Sequence, residues 1–137
     1  MKKRVKVSVI GTSPPCIRCN RTYKLALEAS KELGIDVELE KLTIGSPEAE
    51  RYGRGMSLLE FGKHVGAELD INEELKQGDV EGIDRKAKLL LEQHKDAGVI
   101  VSPAVVINGH LKFFGTVPSK EELKDAIREA ITEEKRR

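Results

Sequence analysis

Apolar and polar residues alternate over positions 5–10 (V-K-V-S-V-I), with Val and Ile at the apolar sites. A period of two with β-branched residues predicts a strand. Gly11-Thr12-Ser13-Pro14-Pro15 ends it, because proline does not continue a central strand. From about 16 to 33 the period becomes helical, with Tyr23, Ala26, Leu27, Ser30 and Leu33 assigned to one face. Gly34 is the expected stop. Alternation returns over 37–42 (V-E-L-E-K-L) as a second strand. A β-α-β opening favours a parallel pair joined by a right-handed crossover.

The far end reads as clearly. Residues 99–101 and 104–107 are apolar and β-branched, and they flank Ser102-Pro103. Asn108-Gly109 is a strong hairpin signal. Residues 111–114 return as the paired strand, and Gly115 breaks it. Ser119-Lys120-Glu121-Glu122 has the form of a capping box. Leu123, Ala126, Ile127, Ala130 and Ile131 follow at helical spacing, so a last helix is expected to about 134. The basic tail Lys135-Arg136-Arg137 suits a helix C-terminus.

The middle, about 43–82, is less regular. Ser46-Pro47-Glu48-Ala49-Glu50 reads as a capped helix start with proline in the first turn, interrupted by Gly53-Arg54-Gly55. Leu58, Leu59, Phe61, Val65 and Leu69 suggest a further helix broken near Gly66. Residues 70–80 are polar, with one helical turn expected at 73–77. A longer helix over about 84–97 presents Ala87, Leu90, Leu91 and His94 on one face, and Gly98 ends it. The expected order is β-α-β-(α-rich insert)-α-β-β-α, without repeats, low-complexity segments or linkers.

Composition bounds the function classes. The 137 residues are 39% hydrophobic and 34% charged. That length suits one domain, 1–137, able to bury a core without a disulfide or metal staple. The apolar share is too high for a disordered chain. Lys+Arg number 24 against 23 Asp+Glu, a net +1. Near-balance argues against a nucleic-acid-binding module and against a polybasic membrane anchor. No apolar run reaches the ~18 residues of a transmembrane helix. The basic start is followed by too short an apolar stretch for a secretory signal, so a cytoplasmic protein is expected.

The chemistry concentrates in two cysteines, Cys16 and Cys19, in the sequence C-I-R-C. A disulfide framework calls for more cysteines at longer spacings. A four-thiolate zinc site or an iron–sulfur cluster calls for more ligands. A ring closed between neighbours one helical turn apart stabilises a fold weakly, so the pair leans towards redox chemistry. His64, His94 and His110 share no metal-ligand spacing. His94 falls on an apolar helix stripe and reads as a core or boundary residue, while His110 beside the hairpin turn reads as exposed. Gly53-Arg54-Gly55 follows no expected strand and lacks the third glycine of a dinucleotide fingerprint.

The C-x-x-C after the first strand and the Ser102-Pro103 strand opening combine with the Asn108-Gly109 hairpin and the Gly115…Leu123 run into the last helix. Together they resemble the thioredoxin fold. The chain is most similar to the small archaeal and bacterial thioredoxin/glutaredoxin-like redox-disulfide proteins, over about 4–42 and 84–131. The resemblance implies an α/β fold, β-α-β-α-β-β-α, with a mixed four-stranded sheet. Here a helical insertion at about 43–82 follows the second strand. Two departures stand out. Pro15 precedes Cys16, with Ile17-Arg18 between the cysteines, where thioredoxins proper carry W-C-G-P-C. Ile10 occupies the place of a buried acid, so no proton acceptor for the second thiol is identified.

On this reading Cys16, at the mouth of the helix, is the nucleophile, because free N–H groups there stabilise a thiolate. Cys19, one turn along and more buried, resolves the mixed disulfide. For Arg18 two readings stand: a cation that favours the thiolate, or a solvated surface side chain. The resemblance implies a cis bond at Ser102-Pro103, leaving the Ser102 backbone free to pair with an extended client by strand addition. Pro14 and Pro15 are expected to shape the loop before Cys16, and Tyr23 to pack within the first helix. Met56, Leu58, Leu59 and Phe61 of the insert either line a client or dimer surface or fill core, with core favoured.

The function expected is thiol–disulfide oxidoreduction on protein or small-molecule disulfides, without a cofactor or metal, and with a separate reductase as partner. The competing reading is a metal-thiolate carrier or partner-binding adaptor on the same fold.

Overall fold

The computed structural model describes residues 5–13 and 16–135, the last three of these by backbone alone. Pro14 and Pro15, the first four residues and the terminal Arg136-Arg137 lie outside the described residues, and so do the expectations placed on them.

The main sheet has four strands in the order β2-β1-β5-β6. Strand β1 (Val5–Gly11) runs parallel to β2 (Val37–Thr43) and antiparallel to β5 (Ala104–Ile107). Strand β6 (His110–Phe114) returns antiparallel to β5, with an irregularity at Val105/Val106. Asn108 (φ 49°) and Gly109 (φ 82°) make the connection, the paired positive φ values that an Asn-Gly hairpin turn supplies. The sheet is mixed and the fold is thioredoxin-like, as expected.

Strand β1 differs from the half-buried strand that alternation implies. Only Lys6 is exposed along it, because β1 is central and covered on both faces. Ser8 is therefore buried, and its hydroxyl donates to the Glu40 carboxylate at 2.9 Å.

Helices α1 (Ile17–Leu33) and α6 (Lys120–Lys135) cover one face. Val5, Val7, Val105 and Ile107 of the sheet pack there against Ala26, Ala29, Leu123, Ala126, Ile127 and Ala130. The buried stripe of α1 is Arg18, Cys19, Thr22, Ala26, Ala29 and Ser30. Leu27, expected inside, is 40% exposed. Small residues let the helix lie close to the sheet, and Thr22 and Ser30 satisfy their hydroxyls by donating to the Arg18 and Ala26 carbonyls. The Ser119 capping box of α6 forms in both directions.

The region between β2 and β5 holds α2 (Pro47–Glu50), α3 (Leu58–His64), α4 (Asn72–Gln77), α5 (Val80–Gln93) and a 3₁₀ turn at Lys95–Ala97. Helix α5 starts four residues before its expected onset, because the Asp79 side chain accepts from the Gly82 N–H and caps it. The insert is also not purely helical. Strand β3 (Gly55–Met56) pairs in parallel with β4 (Ile100–Val101), and a two-residue strand carries too short a pattern to read from sequence. Met56, Leu58 and Phe61 fill a core with Ile71, Ile83, Ala87, Leu90 and Val101. Leu59 of the same group stays outside, 49% exposed.

Candidate redox site

Both cysteines sit where β1 hands over to α1. Cys16 is the N-cap of α1, in extended conformation, and its sulfur accepts from the Cys19 N–H at 3.3 Å. Orphan N–H groups at a helix start require such acceptors, and a thiolate is a better one than a thiol. The two sulfurs lie 3.0 Å apart. A disulfide bond is ~2.05 Å long, so oxidation closes about 1 Å.

The same geometry separates the two thiols electrostatically. Cys16 is half-buried and Cys19 is buried. The Cys19 S–H facing Cys16, helped by the Cys19 and Arg18 backbone N–H groups, brings the Cys16 thiol down to about 6 against the opposing effect of burial. Cys19 moves strongly upward, because it donates to Cys16 and is desolvated. Near neutral pH the reduced pair is therefore one thiolate and one thiol, with the charge on the more accessible sulfur.

Gly11 makes room for this pair. A Cβ there would meet the Cys19 Sγ at 2.9 Å and its Cβ at 3.0 Å. The Thr12 N–H beside it points at the Cys19 sulfur.

Of the two readings of Arg18, the structure excludes the solvated surface side chain. It is only 3% exposed. Its Nε donates to Asp84 Oδ1 at 2.9 Å, its Nη1 faces the Ser102 carbonyl at 3.5 Å, and its Nη2 donates to the Gly115 carbonyl. The second Asp84 oxygen accepts from the Val117 N–H at 3.1 Å. One buried ion pair thus joins the redox helix to α5, to the loop before β5 and to the loop after β6. The Arg18 charge also lowers Cys16, after the hydrogen bonds from Cys19 and from the Arg18 backbone. Asp84 carries no motif. The one signal for it was general, that a buried arginine is almost always paired.

The Ser102–Pro103 peptide bond is cis. The Ser102 backbone is not free, however, contrary to expectation. Its N–H donates to the Met56 carbonyl at 2.9 Å, extending the β3–β4 ladder. Its carbonyl faces Arg18. The chain's own insert occupies the edge at which strand addition was expected.

Two hollows flank the sulfurs. One, about 180 Å³, lies on the Cys19 side and is lined by Val9, Thr12, Tyr23 and Lys41 among others. The Lys41 Nζ stands 4.6 Å from the Tyr23 ring centre, so Tyr23 faces this hollow rather than packing wholly within α1. The other, about 250 Å³, opens beside Cys16 between α1 and the insert.

The histidines lie apart from the pair. His64 and His110 are exposed, and His94 is half-buried with its ring edge-to-face on Phe61 at 6.3 Å. Among the described residues no group of three His, Cys, Asp or Glu side chains is arranged to hold a metal ion. No helix among them is long and apolar enough to cross a membrane.

Comparison with known proteins agrees with the fold. A family model described as a thioredoxin domain matches residues 68–128. That stretch contains Asp84, Ser102 and Pro103 but not the two cysteines. A thioredoxin of Methanothermobacter thermautotrophicus is 28% identical over 123 residues, covering 90% of this chain and 97% of that protein.

Proposed function

We propose that this protein, whose fold is thioredoxin-like, is a thiol–disulfide oxidoreductase that works through Cys16 and Cys19. The observation that carries the reading is the sulfur pair itself. A half-buried sulfur at a helix N-terminus lies 3.0 Å from a buried one.

The chemistry follows from that asymmetry. The Cys16 thiolate attacks one sulfur of a client disulfide, forming a Cys16–client mixed disulfide and expelling the other client sulfur as a thiolate. The bond formed draws charge off Cys16, so the influence that holds the Cys19 proton disappears. Cys19 attacks the Cys16 sulfur, breaking the Cys16–client bond and expelling the second client sulfur, and its proton passes to a released client thiolate, so that one client sulfur leaves as thiol and the other as thiolate. Two electrons pass from the pair to the client, which is reduced as the protein is oxidised to the Cys16–Cys19 disulfide. A separate disulfide reductase or dithiol returns the pair to its reduced state.

Arg18 acts here as a positioning residue. It holds the first turn of α1 against Asp84, Ser102 and Gly115, which fixes the direction in which the Cys16 sulfur points. Ser102 lines the hollow beside Cys16, where a client would lie, and the buried Pro103 follows it in the chain. The clients are disulfide-bearing proteins or small molecules, the setting is the reducing cytoplasm, and neither nucleic acid nor membrane is a partner.

Dithiothreitol-driven reduction of a model disulfide tests the reading. Wild-type protein is expected to turn over, and Cys16→Ser is expected to abolish turnover. Undiminished turnover by Cys16→Ser would overturn it.

A further inference from the structure

Six large hydrophobic side chains stand exposed among the described residues: Ile17, Leu27, Leu59, Leu75, Leu89 and Phe114. Three of them, Ile17, Leu59 and Leu75, line a single hollow, the one beside Cys16. Leu58, Ile71 and Ile83 complete its apolar wall, and Cys16 itself forms part of the rim. Scattered surface leucines need no explanation, but a cluster that shares a wall with a reactive thiolate does. Apart from Ile17 these side chains come from the insert and α5, so the insert builds the hollow.

Three features limit what can sit there. The hollow measures about 250 Å³, below the roughly 300–1,000 Å³ of sites that hold whole small-molecule ligands. Its charged wall residue, Arg18, is already paired with Asp84, so no free cation awaits the carboxylates of an anionic low-molecular-weight disulfide. The Ser102 N–H is bonded to Met56, so a client gains little from backbone pairing at that edge. A client joined to Cys16 as a mixed disulfide would nevertheless be tethered at the rim, with the groups next to its sulfur over the apolar wall.

Building on the proposed oxidoreductase reading, we propose that Leu59 and Leu75, with Ile17, select polypeptide disulfides whose cysteine is flanked by a large aliphatic side chain. The insert exchanges main-chain recognition at Ser102 for side-chain recognition beside Cys16. The attack and resolution steps are those given above. The hollow adds binding of the flanking residue, which is present in the mixed disulfide and in the transition state leading to it.

The test compares two short blocked peptide disulfides, identical except for leucine or serine beside the cysteine, with dithiothreitol recycling the full-length protein. Bis(2-hydroxyethyl) disulfide reports the exchange chemistry separately. The expected wild-type kcat/KM favours the leucine peptide by roughly tenfold or more, the discrimination an apolar subsite supplies. L59N and L75N are expected to lose most of that ratio, while L89N, an exposed leucine of α5 outside the hollow, keeps it. Wild-type protein that reduces bis(2-hydroxyethyl) disulfide but treats both peptides alike overturns the selection and leaves the oxidoreductase reading standing. So does a ratio that survives in L59N and L75N. Protein inactive on all three disulfides overturns both.

Discussion

The guanidinium of Arg18, which lies between the two cysteines in sequence, meets the carboxylate of Asp84, 66 residues further along the chain, at 2.9 Å. The arginine is buried and the aspartate nearly so. Removing one member of such a pair leaves an uncompensated charge inside the protein, which costs about 3–5 kcal/mol. Asp84→Ala is expected to lower stability by about that amount in urea denaturation. Replacing both partners by apolar residues removes both charges together, so R18M/D84L is expected to recover much of the loss. A fully stable Asp84→Ala would show that Arg18 is satisfied without its partner.

The Cys16 thiol, held near 6 chiefly by the Cys19 S–H, gives the reduced protein a pH-dependent stability. Its ordinary value is 9.0. A group whose folded value is depressed stabilises the fold above its unfolded value, and that stabilisation is lost as pH falls towards the folded value. Cys19, shifted upward, contributes the opposite slope only above about 9. The reduced protein is therefore expected to gain stability from pH 6 to 9 and to lose it beyond. The oxidised protein, with neither thiol present, is expected to lack both slopes. Urea midpoints measured across pH in the two redox states check this.

Cys19→Ala removes the main donor to the Cys16 thiolate. The rate of Cys16 alkylation by iodoacetamide is then expected to rise at a distinctly higher pH than in the wild type, where it rises around 6. An unchanged profile would assign the thiolate to the helix terminus alone.

Gly11→Ala places a methyl group 2.9 Å from the Cys19 sulfur. Overpacking of this kind costs about 1–3 kcal/mol. The methyl group also pushes Cys19 away from Cys16, so a lower urea midpoint should come with slower oxidation of the pair by a small disulfide.

Phe61 is buried in the core that the insert shares with α5 and β4. Phe61→Ala is expected to cost about 3–5 kcal/mol within a single unfolding transition, because the insert is tied to the rest of the fold through β3–β4 and through the packing of Ala49 with Ile10, Ala104 and Val106 of the sheet. Two separate transitions would make the insert an independent unit.

Much of this was legible in the sequence because the local signals agree with the fold. Alternation marked β1 and β2, Asn108-Gly109 fixed the hairpin, and Ser119 with Glu122 marked the start of α6. The cysteines announced themselves by spacing. What stayed hidden is non-local. The exposure of Leu27 depends on which face of α1 meets the sheet, and small residues won that face. Strand β3 exists only because β4 lies beside it. The bond from Ser102 to Met56 and the pair of Arg18 with Asp84 each join residues far apart in the chain, with no pattern at either end. The general rule that a buried arginine needs a carboxylate says that a partner exists, but not that it is Asp84.

The central claim is that Cys16 attacks and Cys19 resolves. Intact mass spectrometry of Cys19→Ser and Cys16→Ser after incubation with a peptide disulfide tests it most directly. The account predicts that Cys19→Ser accumulates a one-to-one covalent adduct through Cys16, while Cys16→Ser accumulates almost none near neutral pH. Equal adducts on both variants, or an adduct on Cys16→Ser alone, would contradict it.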